Sequence, residues 1–239
     1  MATDDPPLPA PGALRALSAA CGLDLASFRA AHVARCVDRA IRRTGAFDAD
    51  TLAALVAREP EQRRRFRRAV AVSTTRMFRD AQQFDLLAGL LDGLYQGSRP
   101  LRVWSVGASD GSELCSIALM LGSRGLLEGA TLLGSDLLEE NVALAHERSR
   151  ERLTPQERDS VRFERRDVST SAPPGSWDVI LCRNVLIHLS SDARARLLRR
   201  AVDGLRPGGL LLLGRSERVT RPESMGLRDA AANAYWRTA

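Results

Sequence analysis

Histidine and cysteine are scarce in this chain of 239 residues: it has three histidines and four cysteines, Cys21, Cys36, Cys115 and Cys182, with no C-x-x-C pair among them. That pattern suggests neither a zinc site nor a disulfide framework, so no metal is expected and a reducing, cytoplasmic setting fits best. Long apolar runs are missing as well. Nothing approaches the roughly 20 residues needed to cross a bilayer, so no membrane insertion is expected. The opening residues carry Asp4, Asp5 and four prolines by Pro11. This is the reverse of a basic, apolar secretory signal, and residues 1–12 are expected to be a disordered leader. The dinucleotide fingerprint G-x-G-x-x-G is also absent, so phosphate cradling is not specifically indicated.

There is enough apolar sequence, 44% of the chain, for one large domain or one domain with a helical appendage. The 35 basic residues are all arginine, and against 29 acids they leave a net charge of +6. Arginine's planar fork favours carboxylate and phosphate, so an acidic partner is one reading and plain solvated helix faces are the other. From Leu14 the pattern turns helical. Phe28, Val33, Val37 and Ile41 recur at helical spacing, while Arg35, Arg39, Arg42 and Arg43 gather toward the other face up to the stop at Thr44-Gly45. A short helix over Thr51–Ala57 follows, then one from Pro60 that carries Arg63, Arg64, Arg65, Arg67 and Arg68. Residues 13–72 thus read as an all-helical domain with one cationic surface. Residues 73–100 read as a linker segment and a helix, Phe84 to Leu94.

Residues 101–239 alternate strand and helix, which predicts a doubly wound, mainly parallel α/β sheet. Their anchor is Leu101–Met120, where a strand runs through Gly107-Ala108-Ser109-Asp110-Gly111 into a helix start, a turn that either admits close approach of a nucleotide-like ligand or is only a tight connection in an α/β sheet. The run Thr131–Asp136 ends in an acid about one β-α-β step further on. There, nucleotide-binding sheets place a carboxylate that accepts from ribose hydroxyls; a cap for a helix over Leu138–Arg148 is the alternative. A third strand is expected from Val161 through Val168, a fourth over Trp177–Cys182, a helix over Asp192–Leu205 stopped by Arg206-Pro207-Gly208-Gly209, and a fifth strand over Leu210–Leu213.

Taken together, WSVGASDGSE, LLGSD, WDVILCRN and LRPGGLLLLGRSE resemble a class I S-adenosylmethionine (AdoMet) methyltransferase, and more closely the chemotaxis receptor (CheR-type) protein-glutamate methyltransferases. That family's hallmark is a strand ending in CRNV-x-I and an aromatic, then K/RPGG-x-L-x-x-G-x-SE. Cys182-Arg183-Asn184-Val185-Leu186-Ile187-His188, and Arg206-Pro207-Gly208-Gly209 through Ser216-Glu217, stand in those places. Ser73-Thr74-Thr75-Arg76-Met77-Phe78-Arg79-Asp80 resembles the family's N-x-T-x-F-F-R-D/E linker, and Ala234-Tyr235-Trp236-Arg237 its last strand. The similarity runs from about residue 25 onward. It implies a Rossmann-like methyltransferase sheet behind a small helical domain, AdoMet as cofactor, and glutamate O-methylation of a signalling protein.

By position, the resemblance implies that Thr75 and Arg79 reach AdoMet from the linker, with Ser73 where the family prefers Asn. Gly107 and Glu113 belong to the cofactor loop, although Ser112 replaces the family's first Glu. Asp136 holds the ribose, Asp167 and Val168 lie beside the adenine, and Arg183 and Asn184 lie at the methionine side. Arg79 and His188 are the catalytic candidates, His188 standing where the family has a tyrosine. Between Asp136 and Asp167 there is room for one helix, a charged turn and a strand. That is too little for the β-subdomain with which the family docks a receptor tail.

Three functions are compatible with these residues. The leading one is a monomeric, cytoplasmic enzyme that methylates glutamates on an acidic helical protein, such as a chemoreceptor or sensor. A non-catalytic AdoMet-binding signalling module is the second. A small-molecule or nucleic-acid methyltransferase is the third, with DNA disfavoured because Arg183-Asn184-Val185-Leu186 replaces the N/D-P-P-Y/F pocket of amino-methylating DNA enzymes.

Overall fold

The computed structural model describes residues 6–72, 75–94 and 99–238 and divides into two compact units, residues 1–73 with 188–195, and residues 74–187 with 196–239. The first unit holds α1 (Pro11–Cys21), α2 (Ala30–Thr44), α3 (Ala49–Arg58) and α4 (Pro60–Ala71). Helix α1 starts on Pro11, inside the stretch expected to be leader, because proline suits a first helical turn whose N–H groups have no partner. α1 and α2 end on Gly22 and Gly45, both left-handed, and Asp48 starts α3 by accepting from the Thr51 N–H at 2.8 Å. Leu17, Leu52, Val56, Phe66 and Val70 are fully buried between these helices, each contributing roughly 1.5–3 kcal/mol.

α2 and α4 are tied together by His32 Nε2, which lies 2.8 Å from the Val70 carbonyl oxygen, and by Cys36 Sγ, which donates to the Ala69 carbonyl. On their outer surfaces Arg35, Arg39, Arg42 and Arg43 of α2, and Arg64, Arg65 and Arg68 of α4, are exposed. Residues 188–195, expected from sequence to belong to the C-terminal domain, pack instead with these helices. Leu189 bridges antiparallel to Phe28, and the N–H groups of Ser190 and Arg29 donate to the carbonyls of Ser27 and His188, each at 2.9 Å.

The second unit holds α5 (Ala81–Leu94), β1 (Arg102–Val106), α6 (Ser112–Gly122), β2 (Thr131–Asp136), α7 (Glu139–Arg152), α8 (Pro155–Asp159), β3 (Val161–Arg165), β4 (Trp177–Cys182), most of α9 (Ser191–Gly204), β5 (Leu205–Leu213), β6 (Leu227–Ala231) and β7 (Ala234–Arg237). The sheet runs β3-β2-β1-β4-β5-β7-β6, the first five strands parallel, β7 antiparallel to β5, and β6 antiparallel to β7. Val103, Val179, Leu181, Leu210 and Leu212 share a core with residues of α5, α6 and α7. The alternate residues Trp104 and Ile180, with Trp177, meet Gly204 at the end of α9. Order reverses between β1 and β4, so a crevice opens at their C-terminal ends, where the glycine loop and Arg183-Asn184 lie.

Four local expectations change. β3 stops at Arg165, because Asp167 turns the chain by accepting from the Ser169 N–H at 2.8 Å. The charged turn before it is α8, opened by a Thr154–Glu157 capping box. β5 begins at Leu205 opposite Trp177, and Arg206–Gly209 forms a bulge before the ladder resumes at Val179–Leu210, with Gly208 at φ +71°. The edge strand β6 was not anticipated.

His32 makes the first unit sensitive to acid. Burial lowers its pKa below 6.5, the charges of Arg35, Arg39 and Arg29 add to this, and the Val70 carbonyl opposes it. The unfolded chain therefore takes up a proton that the folded one refuses. This contribution to stability is intact above the unfolded value and is lost as pH falls from there toward the folded value. Urea unfolding midpoints should drop across that window, and His32→Gln should flatten the dependence; an unchanged profile in the variant would assign it to other groups.

Candidate functional site

The loop after β1 is closed by its own backbone. The N–H groups of Gly107 and Ala108 both donate to the Ser135 carbonyl, at 2.9 and 3.0 Å, that of Ser109 to Asp136 Oδ2 at 2.8 Å, and that of Ser112 to Asp110 Oδ1 at 3.0 Å. Donors spent in this way do not cradle a phosphate. Gly107 and Gly111 have φ of +68° and +77°, and a Cβ would lie 2.8 Å from Val185 Cγ2 at the first and 2.9 Å from Ala145 and Phe163 at the second. Both glycines thus permit close packing as well as the turn.

Asp136, at the end of β2, is 7% exposed. Besides the Ser109 N–H, it accepts from the Leu138 N–H and from Asn141 Nδ2, both at 2.9 Å. Burial pushes its pKa up, and these three hydrogen bonds work against that. The carboxylate therefore joins the glycine loop to the start of α7, in line with the helix-start alternative left open by sequence. Beyond β3, Asp167 is exposed and Val168 half-buried.

Across the crevice, Arg183 is buried, its side chain 3% exposed. Its Nε donates to Gln83 Oε1 at 2.9 Å, Nη1 to Glu113 Oε2 at 2.7 Å, and Nη2 to the Arg79 carbonyl at 2.7 Å. Asp80 lies 3.5 Å away and the Phe84 ring beneath the guanidinium at 5.2 Å. Glu113 uses its other oxygen to accept from Ser105 Oγ at 2.9 Å. Asn184 follows in the left-handed conformation, φ +60°, with its N–H held by Glu217 Oε2 at 2.7 Å. Glu217, 1% exposed, also accepts from the N–H groups of Gly214 at 2.8 Å and Ile187 at 3.2 Å.

The structure thus brings Arg79, Glu113 and Arg183 into one cluster, and Gly107 and Asp136 into one loop. Thr75 and Arg79 are half-buried in the linker, while Ser73 lies outside the described residues. His188 belongs to the first unit, its ring centroid 5.3 Å from that of His32. Sequence reasoning missed Gln83 and Glu217 as site residues. Glu217 sat inside a quoted motif, whereas Gln83 had no local signal.

This donor set fits a nucleoside that carries no phosphate. Asp136 is a buried acceptor beside the loop, and Ser109 Oγ and Ser112 Oγ are buried without a protein partner among the described residues. The sheet order, the reversed final strand and this crevice define a class I AdoMet-dependent methyltransferase. A solved magnesium protoporphyrin IX methyltransferase from Synechocystis PCC 6803 with bound SAM shares the fold, with a TM-score of 0.50 and 18% identity over 66% of this chain and 79% of that one.

The family model described as CheR methyltransferase, SAM binding domain, matches residues 73–149 and 138–232. A chemotaxis protein methyltransferase of Listeria innocua is 31% identical over 66% of this chain and 70% of its own length. Chemotaxis protein methyltransferase 2 of Pseudomonas aeruginosa is 32% identical over 74% of both chains, and the Klebsiella aerogenes protein is 31% identical over 84% of this chain and 79% of its own. The chain belongs to the CheR methyltransferase family. It is an enzyme whose cofactor is AdoMet.

Glu217→Ala leaves the N–H groups of Asn184, Gly214 and Ile187 without their acceptor and should cost on the order of 3 kcal/mol. Urea unfolding measures the loss; a change under about 0.5 kcal/mol would mean that the loop after β4 holds its shape without it.

Proposed function

We propose that the methyl acceptor is a glutamate carboxylate on an acidic, helical signalling protein such as a chemoreceptor, and that the enzyme acts as a cytoplasmic monomer. The observation that carries this reading is the exposed arginine rows of α2 and α4 in the first unit. Asp38 pairs with Arg42, and Glu61 with Arg64 and Arg65, but the rows remain positive on balance, and such a field attracts an acidic helix and steers its approach. The relatives' name, chemotaxis protein methyltransferase, points to the same class of acceptor.

Bound AdoMet supplies an electrophilic methyl group on a sulfonium. A glutamate acceptor is already ionised at neutral pH, so the protein needs no strong base, and its work is alignment and exclusion of water. Effective molarity from such alignment can lower a barrier by about 7–11 kcal/mol in favourable cases. In this reading Asp136 accepts from the ribose hydroxyls, and Asp167 and Val168 flank the adenine. Glu113, Asn184 and Thr75 line the methionine side, and Arg79 presents a fork of donors that orients the acceptor carboxylate.

Asp136→Ala should weaken AdoMet binding more than any other single change. Two hydroxyls lose an acceptor at about 1 kcal/mol each, on the order of thirtyfold. Protonation of this carboxyl removes the same acceptor, so affinity should also fall on acidification, and sooner than an ordinary aspartate would give, because burial raises its pKa. Titration calorimetry checks both; unchanged affinity in the variant moves the ribose site elsewhere.

Glutamate at Arg35 and Arg39 together should raise KM for an acidic helical acceptor several-fold at low salt and leave AdoMet affinity as it was. The product should be a base-labile methyl ester. A base-stable label would indicate N-methylation, and firm AdoMet binding without transfer would favour a signalling module.

A further inference from the structure

Arg79 sits in strained backbone. Its neighbours Phe78 and Asp80 have φ of +49° and +58°, a conformation that an aspartate adopts at little cost but that a phenylalanine holds only where the surroundings impose it. The Phe78 N–H donates to Ser116 Oγ at 2.9 Å, and the Arg79 carbonyl accepts from Arg183 Nη2 at 2.7 Å. Arg183 is in turn oriented by Gln83, whose Oε1 accepts from Nε at 2.9 Å and whose Nε2 donates to the Leu213 carbonyl at 2.8 Å. A buried path of hydrogen bonds thus runs from the end of β5 through Gln83, and on through Arg183 at the end of β4, to the Arg79 backbone.

We propose that Gln83 and Arg183 are positioning residues, which hold Arg79 in the backbone geometry from which its guanidinium aligns the acceptor carboxylate, and act through Arg79 rather than on cofactor or acceptor. This rests on the alignment role given to Arg79 above. The Arg183 side chain is committed on all three guanidinium nitrogens, which suits a clamp. A small misplacement of a reacting group costs about a hundredfold in rate, so a clamp this far from solvent has leverage on turnover.

A double-mutant cycle on the full chain tests the assignment, with Gln83→Leu, Arg79→Ala and the pair. The acceptor is a recombinant chemoreceptor helical hairpin that carries its methyl-accepting glutamates. Gln83→Leu should lower kcat by about a hundredfold while the AdoMet Kd moves by less than about threefold, and it should have no further effect once Arg79 is alanine. Losses that multiply in the double variant, or a kcat loss matched by an equal loss of AdoMet affinity, would overturn the proposal. If Arg79→Ala keeps the wild-type kcat, the alignment role of Arg79 fails first. If Arg79→Ala is slow and Gln83→Leu is not, only the positioning role fails. Hydrogen exchange needs no acceptor: in Gln83→Leu it should quicken within residues 75–84 and nowhere along β1 or β4, and unchanged exchange in that segment would also overturn the proposal.

Discussion

The crevice depends on one buried cation. A guanidinium out of water is tolerable only when its donors are met. Those of Arg183 are met by a carboxylate from α6, an amide from α5 and a carbonyl from the strained linker turn. Removing one partner from such a set typically costs about 3–5 kcal/mol, because the remaining charge stays buried and unpaired. The ends of β4 and β5, the first turn of α6 and the linker are thereby made to agree on a single arrangement. Glu217 does the same for the loop after β4 with the opposite sign, one carboxylate collecting three backbone N–H groups.

On the other side of the crevice the constraint is steric. Gly107, Gly111 and Gly134 each stand where a Cβ would lie within 3 Å of a neighbour, with Val185, Ala145, Phe163 and Ala108 the atoms in the way. Loop, α7 and β3 consequently close on one another without a side chain between them. Asp136 completes the closure from the end of β2.

Much of this was legible in the residues. The six residues of β4 read as a strand covered on both faces because no polar residue but Asp178 interrupts them, and all six are buried. The α2 arginines Arg35, Arg39, Arg42 and Arg43 fell on one side of a 3.6-residue period, and they are exposed. Less visible were features whose cause lies far along the chain. Arg206-Pro207-Gly208-Gly209 looked like a stop because proline and glycine usually end ladders, yet pairing of Leu205 with Trp177 draws it into β5 as a bulge. β6 holds Arg228 and Asp229, exposed residues of an edge strand with little strand signal of their own. Arg183 was placed against the cofactor on resemblance; its partners lie 70 to 104 positions away, a separation across which local pattern carries no information.

The exposed rows of α2 and α4 hold arginine where many proteins would mix in lysine. With a glutamate as acceptor, each transfer turns an anion into a neutral ester. If the proposed acidic acceptor docks on those rows, its attraction to them shrinks by one charge per turnover, and a fully modified partner would be held least. Occupancy of the enzyme would follow the number of unmodified sites that a partner still carries, and product dissociation would quicken as the work nears completion, with no moving part required.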